Sequence, residues 1–402
     1  MQRRRSLIVL ATALAALTPF AGAFGQQKCG DLLPLASLST PGEARGVAAV
    51  GDRLFVADWQ SSLAPSSLRI YDVADPANPI FLGATGLSGS AADVAPIDDR
   101  YLIVTVANAG VDIVDASDPA APAVVASVDP PQGQGRAVEV FGSYAYVADG
   151  TAGLRVYDVS DPLAPTVLAT LAPAGTEIID VAVTEDGQTV VAAAFVGGFA
   201  VFDVSDPAAP TLASQVVGPF IGEHVAVEGA VAYLTADRPQ LDYQLRLYDV
   251  SDPAAPGLLS FELFADAELR GVAARDGFAY VAASRAGDPL MLAFDAREPA
   301  MVELVGEYEA SNRPSLVSLV DDVAALSTEF FGGVELIDVS NCPPCPGDAT
   351  GDDLVNADDL LAVLGSFGLT VPGGAADGDL DRSGAVNADD LLIVLGAFGS
   401  AC

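Results

Sequence analysis

The chain has 402 residues, with 18 Lys and Arg against 54 Asp and Glu, a formal net charge of −36. Such a surface repels phosphate backbones and anionic headgroups, which argues against a nucleic-acid or membrane-surface role. A single lysine, Lys28, and a single histidine, His224, rule out a Walker-type phosphate loop and most histidine-based catalysis.

The N-terminal segment MQRRRSLIVLATALAALTPFAGAFGQQ runs from arginines through an apolar stretch to small residues. That order predicts a secretory signal peptide over residues 1–25, cleaved after Ala23 or Gly25. The sequence leaves open whether export uses the general or the twin-arginine route. No later stretch is apolar for long enough to span a bilayer. The expected location is therefore extracellular or on the cell surface. The four cysteines, Cys29, Cys342, Cys345 and Cys402, would meet an oxidising compartment there and form disulfides.

From residue 29 to 341 one phrase recurs. Apolar runs end in Asp72, Asp115, Asp158, Asp203, Asp249, Asp295 and Asp338, at intervals of 43, 43, 45, 46, 46 and 43 residues. Each unit carries four short β-type runs; in the third they are RAVEVF, YAYVAD, LRVYDV and TVLATL. The Asp-Pro-x-x-Pro spacers suit turns, because proline fixes φ and aspartate bonds nearby backbone. A period in this range marks a unit that cannot bury its faces alone, and radially repeated four-stranded sheets make a β-propeller, here of seven blades. The seventh copy stops at VELIDV with no fourth run, while LLPLASL near the N-terminus resembles a fourth run with no first three. We therefore expect the N-terminal strand to close the last blade. Cys29 would then lie within reach of Cys342 or Cys345.

The phrases LRIYDVADP, VDIVDASDP, LRVYDVSDP, FAVFDVSDP and LRLYDVSDP resemble the LVIVD repeat of exported and cell-surface proteins. The resemblance implies a propeller and carries no shared chemistry. No G-x-S-x-G, H-E-x-x-H or glycine-rich dinucleotide fingerprint appears, so the sequence favours a non-catalytic ring without deciding the matter.

Aligned first strands place Arg45, Asp93, Arg136, Glu223 and Arg270 at one position, with Ile179 and Ser315 in the other two blades. First strands line a propeller's channel, so these side chains are predicted to ring one mouth of it as a ligand-binding face. Their alternating signs suit mutual pairing as well. Loop aromatics Trp59, Tyr243, Phe330 and Phe331 are expected on the same face, suited to stacking on a sugar or gripping a protein.

Beyond a Cys/Pro linker at 342–346 the composition changes. GDATGDDLVNADDLLAVLGSFG (347–368) recurs as GDLDRSGAVNADDLLIVLGAFG (378–399), displaced by 31 residues. Each copy reads as an oxygen-rich loop followed by a short amphipathic helix. A hard cation such as calcium takes loop positions 1, 3, 5, 7, 9 and 12. These are Asp348, Thr350, Asp352, the Leu354 carbonyl, Asn356 and Asp359 in the first loop. In the second they are Asp379, Asp381, Ser383, the Ala385 carbonyl, Asn387 and Asp390. Gly384 supplies the bend at position 6 of the second loop where the first has Asp353, so the second of the two Ca²⁺ sites is expected to be better formed. The paired helix faces, Leu360, Leu361, Leu364, Phe367 and Leu391, Leu392, Leu395, Phe398, are predicted to pack together.

Residues 347–402 resemble the dockerin domain, whose duplicated calcium motifs bind cohesins and attach secreted proteins to scaffolds. The hydroxyl residues that dockerins often carry at loop positions 10 and 11 are here Ala357-Asp358 and Ala388-Asp389. A Cys345–Cys402 staple around this module would leave Cys29 for Cys342. The whole chain thus reads as an all-β seven-bladed propeller with a small α-helical dockerin-like tail. Its expected role is an exported binding or display protein with a cohesin-like or other extracellular protein, or a polysaccharide, as partner. The alternative is a secreted polysaccharide-active hydrolase or lyase carried by a dockerin.

Overall fold

The computed structural model describes residues 32–60, 65–129, 133–173, 175–329, 332–340, 357–367 and 386–398. The expected signal peptide, all four cysteines, the 342–346 segment, Phe330 and Phe331 lie outside these residues. So do the residues expected to ligate calcium, save Asn387 and the backbones of Asp359 and Asp390.

The described strands form seven four-stranded antiparallel sheets. Six are continuous in sequence, at residues 43–86, 90–128, 137–171, 177–216, 221–264 and 267–309, and are called blades 1 to 6. Blade 7 takes three strands from residues 314–338 and its outer strand, Leu33–Leu38, from the other end of the chain. That strand runs antiparallel to Gly333–Asp338, with Leu33 opposite Asp338 and Leu38 opposite Val334. The closure expected from the truncated seventh phrase is present.

Seven apolar clusters fill the seven gaps between adjacent blades. One of them joins blade 7 to blade 1 through Leu38, Val47, Val56, Tyr71 and Leu336. Third strands such as Leu154–Asp158 are buried on both faces, which explains why LRVYDV shows no polar alternation.

Three repeated devices fix the blades. Asp72, Asp115, Asp158, Asp203, Asp249, Asp295 and Asp338 each accept the N–H two residues on, at 2.9–3.1 Å. They are turn caps. The outer strand of one blade packs on the next blade's Asp-Pro turn. Ser214 and Ser260 donate to the Pro253 and Pro299 carbonyls at 2.6 Å, and a Cβ on Gly83 would lie 2.4 Å from the Pro119 oxygen. Buried carboxylates catch the backbone entering the inner strands. Asp58 accepts from the Gly42 N–H, Asp112 from Ser88, Asp149 from Gln134 and Gly135, and Glu335 from Ser311. At Gly42 and Gly135, which are buried, the carboxylate replaces water for an N–H that would otherwise be unpaired.

The tail contributes two helices, Ala357–Ser366 and Ala388–Ala397, which pack against each other. Val363 and Val394 are fully buried, and Leu360 and Leu391 partly so. The predicted packing of the whole apolar faces is corrected here: Leu361, Leu364, Phe367, Leu392, Leu395 and Phe398 are all about half exposed or more. A ten-residue helix closes a two-helix contact with one stripe, and the wider LxxLxxF stripe lies to its side. No helix among the described residues is long and apolar enough to cross a membrane.

Candidate functional site: the channel mouth

The inner strands are Glu43–Val50, Ser90–Pro96, Ala137–Phe141, Glu177–Val183, Ile221–Glu228, Ala267–Arg275 and Pro314–Val320. Near the start of six of them the ladder to the second strand skips. The unpaired residues are Arg45, Ala92, Ile179, Glu223, Arg270 with Gly271, and Ser315 with Leu316. In blade 3, Arg136 immediately precedes the first paired residue. A bulged residue leaves the ladder and re-aims its side chain, here into the channel opening. Arg45, Ala92, Arg136, Ile179, Glu223 and Ser315, with His224 and Glu329, line a mouth cavity of about 610 Å³.

Asp93 departs from the expected position. The bulge in blade 2 falls on Ala92, so Asp93 sits one residue deeper, beside Gly46, Ala137, Asp180 and His224 of other blades. Its carboxylate accepts the Val94 N–H at 2.8 Å and, across the blade boundary, the Val138 N–H at 2.9 Å. Asp180 does the same for Val181 and Val225, and His224 Nδ1 lies 3.1 Å from its Oδ2. Asp93, Asp180 and Glu139 face a lumen of about 450 Å³ whose walls are otherwise mostly Val, Ala and Leu. Burial raises Asp93 to about 7. Burial and the charges of Asp93 and Asp180 raise Glu139 to about 8, although its side chain still meets solvent in the lumen.

The three arginines of the expected ligand-binding ring are each already engaged. Arg45 pairs with Glu43 at 3.2 Å and lies 4.1 Å above the Trp59 ring. Arg136 pairs with Glu177. Arg270 holds Glu268 at 3.1 Å and Glu329 at 2.8 Å, and Arg313 bridges the same two carboxylates at 2.7 and 3.4 Å. Burial opposes it, but Arg313 and Arg270 hold Glu268 below its ordinary pKa. The partners stand two residues before the ring position in blades 1, 4 and 6, an E-x-x spacing that is visible in EAR, EII and ELR. Glu223 is different: neither its carboxylate nor that of Asp237, whose backbone is in the ladder, makes a hydrogen bond or ion pair with a described residue. Burial is the first cause that raises both pKa values; at Glu223 the attraction of His224 and Arg270 offsets part of it, while at Asp237 the like charges of Glu268 and Asp242 add to it. Tyr243 stands near them, its hydroxyl pKa raised by burial and then by Asp237 and Glu268.

The LVIVD repeat model matches residues 41–85, 88–130, 132–171 and 180–217. The chain carries LVIVD repeats. Those segments cover blades 1 to 4, and blades 5, 6 and 7 have the same four-stranded antiparallel form. No curated protein matches the sequence. Among solved structures, the chain is similar to the β-propeller domain of Myceliophteria thermophila Cps50 (Swd1). Identity is 15% over 77% of this chain and 100% of that one, with a TM-score of 0.60. It is similar to a chain of a mitotic checkpoint complex at 14% identity, over 84% of this chain and 99% of that one, with a TM-score of 0.62. The computationally designed Ika8 protein is similar at 11% identity, over 76% and 99%, with a TM-score of 0.52. At these identities the likeness shows the propeller fold.

Proposed function

We propose that the protein is an exported display protein whose propeller is a protein-interaction domain and whose dockerin-like tail is a calcium-dependent attachment module. The observation that carries the reading is the mouth itself. Its arginines are held in place by carboxylates and by Trp59 before any partner arrives, so a partner meets a rigid polar rim with little side-chain entropy left to lose. One structural neighbour is itself a chain of a protein assembly, the mitotic checkpoint complex, which agrees with an interaction role. The tail adds two matching exposed apolar stripes, Leu361, Leu364, Phe367 and Leu392, Leu395, Phe398, of the kind that lies in a partner's groove. A cohesin-like or other extracellular protein fits such a surface.

The test is capture by the immobilised full chain from native envelope and medium, with and without calcium. A partner that requires calcium and is lost in Leu361→Ser/Leu392→Ser supports the tail assignment. A calcium-independent partner lost in Arg45→Ala/Arg136→Ala/Arg270→Ala supports the mouth. Partners indifferent to both sets of changes would reject the reading. His224 beside Asp180 at the cavity favours a second reading, a polysaccharide hydrolase or lyase. Turnover of plant or algal glycans that disappears in an Asp180→Asn variant whose urea midpoint is unchanged would establish it instead.

A further inference from the structure

The third strands of blades 1, 3 and 5 carry an arginine at one position, three residues before the turn aspartate: Arg69, Arg155 and Arg246. In blade 3 it is buried against Asp149 at 2.5 Å, an acid two places beyond the arginine's ladder partner Val147. In blade 1 the same place, two beyond Val56, is Asp58. In blade 5, two beyond Leu234, it is the fully buried Ala236. Among the described residues Arg246 has only neutral acceptors, the Tyr248 hydroxyl at 2.8 Å and the Gln244 side-chain oxygen at 2.5 Å. Its partly exposed guanidinium lies 4.4 Å from the Phe220 ring centre and 5.5 Å from that of Phe261. Opposite this arginine, blades 1 and 3 have Ala84 and Thr170, where blade 5 has Phe261. Directly opposite residues share a face, so Arg246 lies with Phe261, and one rung nearer the mouth Gln244 lies with Leu263. That face looks toward blade 4, since Phe220, Ala236 and Tyr248 belong to the cluster between blades 4 and 5. Phe261 is 44% exposed and Leu263 54%. On the blade 4 side, Gly218 lies so close to the Phe220 ring that a Cβ would come within 2.3 Å of it. At the Asp-Pro end, Ser214 closes the gap onto the Pro253 carbonyl. Above that closure a groove stays open on the outer wall, with a cation and no counter-charge in its floor.

We infer that this groove between blades 4 and 5 is the docking site for an extended polypeptide segment. That segment places an Asp or Glu on Arg246 and an apolar side chain against Phe261 and Leu263. The inference rests on the reading of the propeller as a protein-interaction domain, and it goes beyond the mouth to a second contact on the outer wall. Comparison of the blades selects the carboxylate. Blades 1 and 3 answer this arginine from within, whereas blade 5 has Ala236 in place of the acid and leaves guanidinium donors for an acceptor brought by a partner. Stacking on Phe220 and the bonds to Tyr248 and Gln244 already hold the guanidinium, so little side-chain freedom is lost on binding. The exposed apolar residues select a polypeptide over a free anion, which would leave Phe261 and Leu263 in water. These two stand two residues apart on one face, ~6.8 Å along the strand. An extended partner has the same repeat, so its carboxylate and its apolar residue stand two positions apart. The chain's net charge of −36 opposes a uniformly acidic segment, which makes one carboxylate among neutral residues the expected form.

The experiment pans a phage-displayed library of random decapeptides on the full chain at physiological salt, with counter-selection on Arg246→Gln. Enriched peptides are expected to share an Asp or Glu two positions from a large apolar residue. They should bind Arg246→Gln about 10- to 100-fold more weakly, as loss of charge-assisted hydrogen bonds implies. They should also weaken with Phe261→Thr, the residue type of Thr170 in blade 3. Ala236→Asp supplies the acid that blades 1 and 3 have, so it should engage Arg246 from within and weaken the same peptides with the arginine still present. An unchanged urea midpoint certifies the fold of each variant, and the surface change Phe261→Thr decides the matter if buried Ala236→Asp lowers it. Enriched peptides without an acidic position, or equally tight on Arg246→Gln, overturn the inference. If such peptides lose binding in Arg45→Ala/Arg136→Ala/Arg270→Ala instead, the groove falls and the interaction reading survives. A library without a binder overturns the groove alone if the full chain still captures a partner through the mouth, and both if it captures none.

Discussion

Gly333 opens the third strand of blade 7 with φ 86, and a Cβ placed on it would lie 1.8 Å from the Leu38 carbonyl oxygen. Leu38 belongs to the closing strand, so Gly333→Ala tests the ring closure at a single atom. An ordinary carbon–oxygen contact lies near ~3.3 Å, so the two strands must part by roughly 1.5 Å at this point. The substitution costs ~1 kcal/mol for positive φ, and each flanking ladder bond lost adds about 1 kcal/mol. Together these give about 3 kcal/mol if two bonds are lost. Gly51→Ala is the control: φ is 52 and nothing lies within 4 Å of its Cβ, so only the φ cost of ~1 kcal/mol applies. Urea denaturation measures the difference, and native-state hydrogen exchange locates it. In Gly333→Ala, protection should fall in residues 33–38 and 334–338 ahead of the other blades. Equal destabilisation by the two substitutions, with amides 33–38 still protected, would refute the argument that this contact seals the ring.

Other outcomes follow from the charges and the tail. Arg45→Ala/Arg136→Ala/Arg270→Ala should keep the fold, since these side chains lie at the rim, and should abolish binding at the mouth; retained binding by a folded variant would discard the arginines as determinants. Stability should peak near pH 4 to 5. Hydrogen bonds from Ser160, Ser205 and Ser251 hold Asp158, Asp203 and Asp249 below their ordinary pKa, so their contribution is present above about pH 4 and is lost as pH falls. Burial raises Asp93 to about 7 and Glu139 to about 8, so the folded chain binds more protons than the unfolded one above about pH 4, and stability declines as pH rises to 8. Glu139→Gln should flatten that alkaline limb in urea midpoints measured from pH 4 to 9; an unchanged slope would refute the assignment. Chelation by EDTA should remove helical circular dichroism from the tail while the ring's urea midpoint stays fixed, and helicity indifferent to EDTA would reject the calcium loops.

The sequence revealed the ring because its evidence is periodic. Seven aspartates at nearly constant intervals, and a seventh phrase without its last run, specify both the number of blades and the origin of the missing strand. Glycines become legible once the geometry is known: Gly198 and Gly333 open a third strand and Gly153 immediately precedes one, and at each a Cβ would strike a carbonyl of the outer strand. The mouth was harder to read. Arg45, Arg136 and Glu223 stand at the opening as aligned, whereas Arg270 is drawn to Glu268 and Glu329 and does not line the cavity; a bulge also changes the count by one, and in blade 2 the side chain aimed at the mouth belongs to Ala92. Alignment by residue type placed Asp93 there because a charged residue looks like its charged equivalents. The pairing of Arg45 and Arg270 with a glutamate two places earlier is written in the sequence, but the pairing of Arg136 with Glu177 and of Arg270 with Glu329 on the next blade needed the ring's curvature, which no linear spacing records.

The displacement of Asp93 also separates structure from recognition at the channel. One residue below the mouth, Gly46 and Gly271 permit adjacent inner strands to touch: a Cβ on either would lie 2.5 or 2.6 Å from the Cα of Asp93 or Leu316 in the next blade. Asp93 and Asp180 use the same level to tie the following blade through Val138 and Val225. Residues at this depth hold the circle at its narrowest, and substitutions there act first on stability. One step up, side chains have left the ladder and owe it no hydrogen bond, so they are free to differ from blade to blade. Arginine, alanine, isoleucine, glutamate and serine all occur at that level. On the proposed interaction reading the determinants of binding there belong to the bulged residues and the hairpins above them, so changes at Arg45 and Arg136 are informative where a change at Asp93 would report only that the blades had loosened.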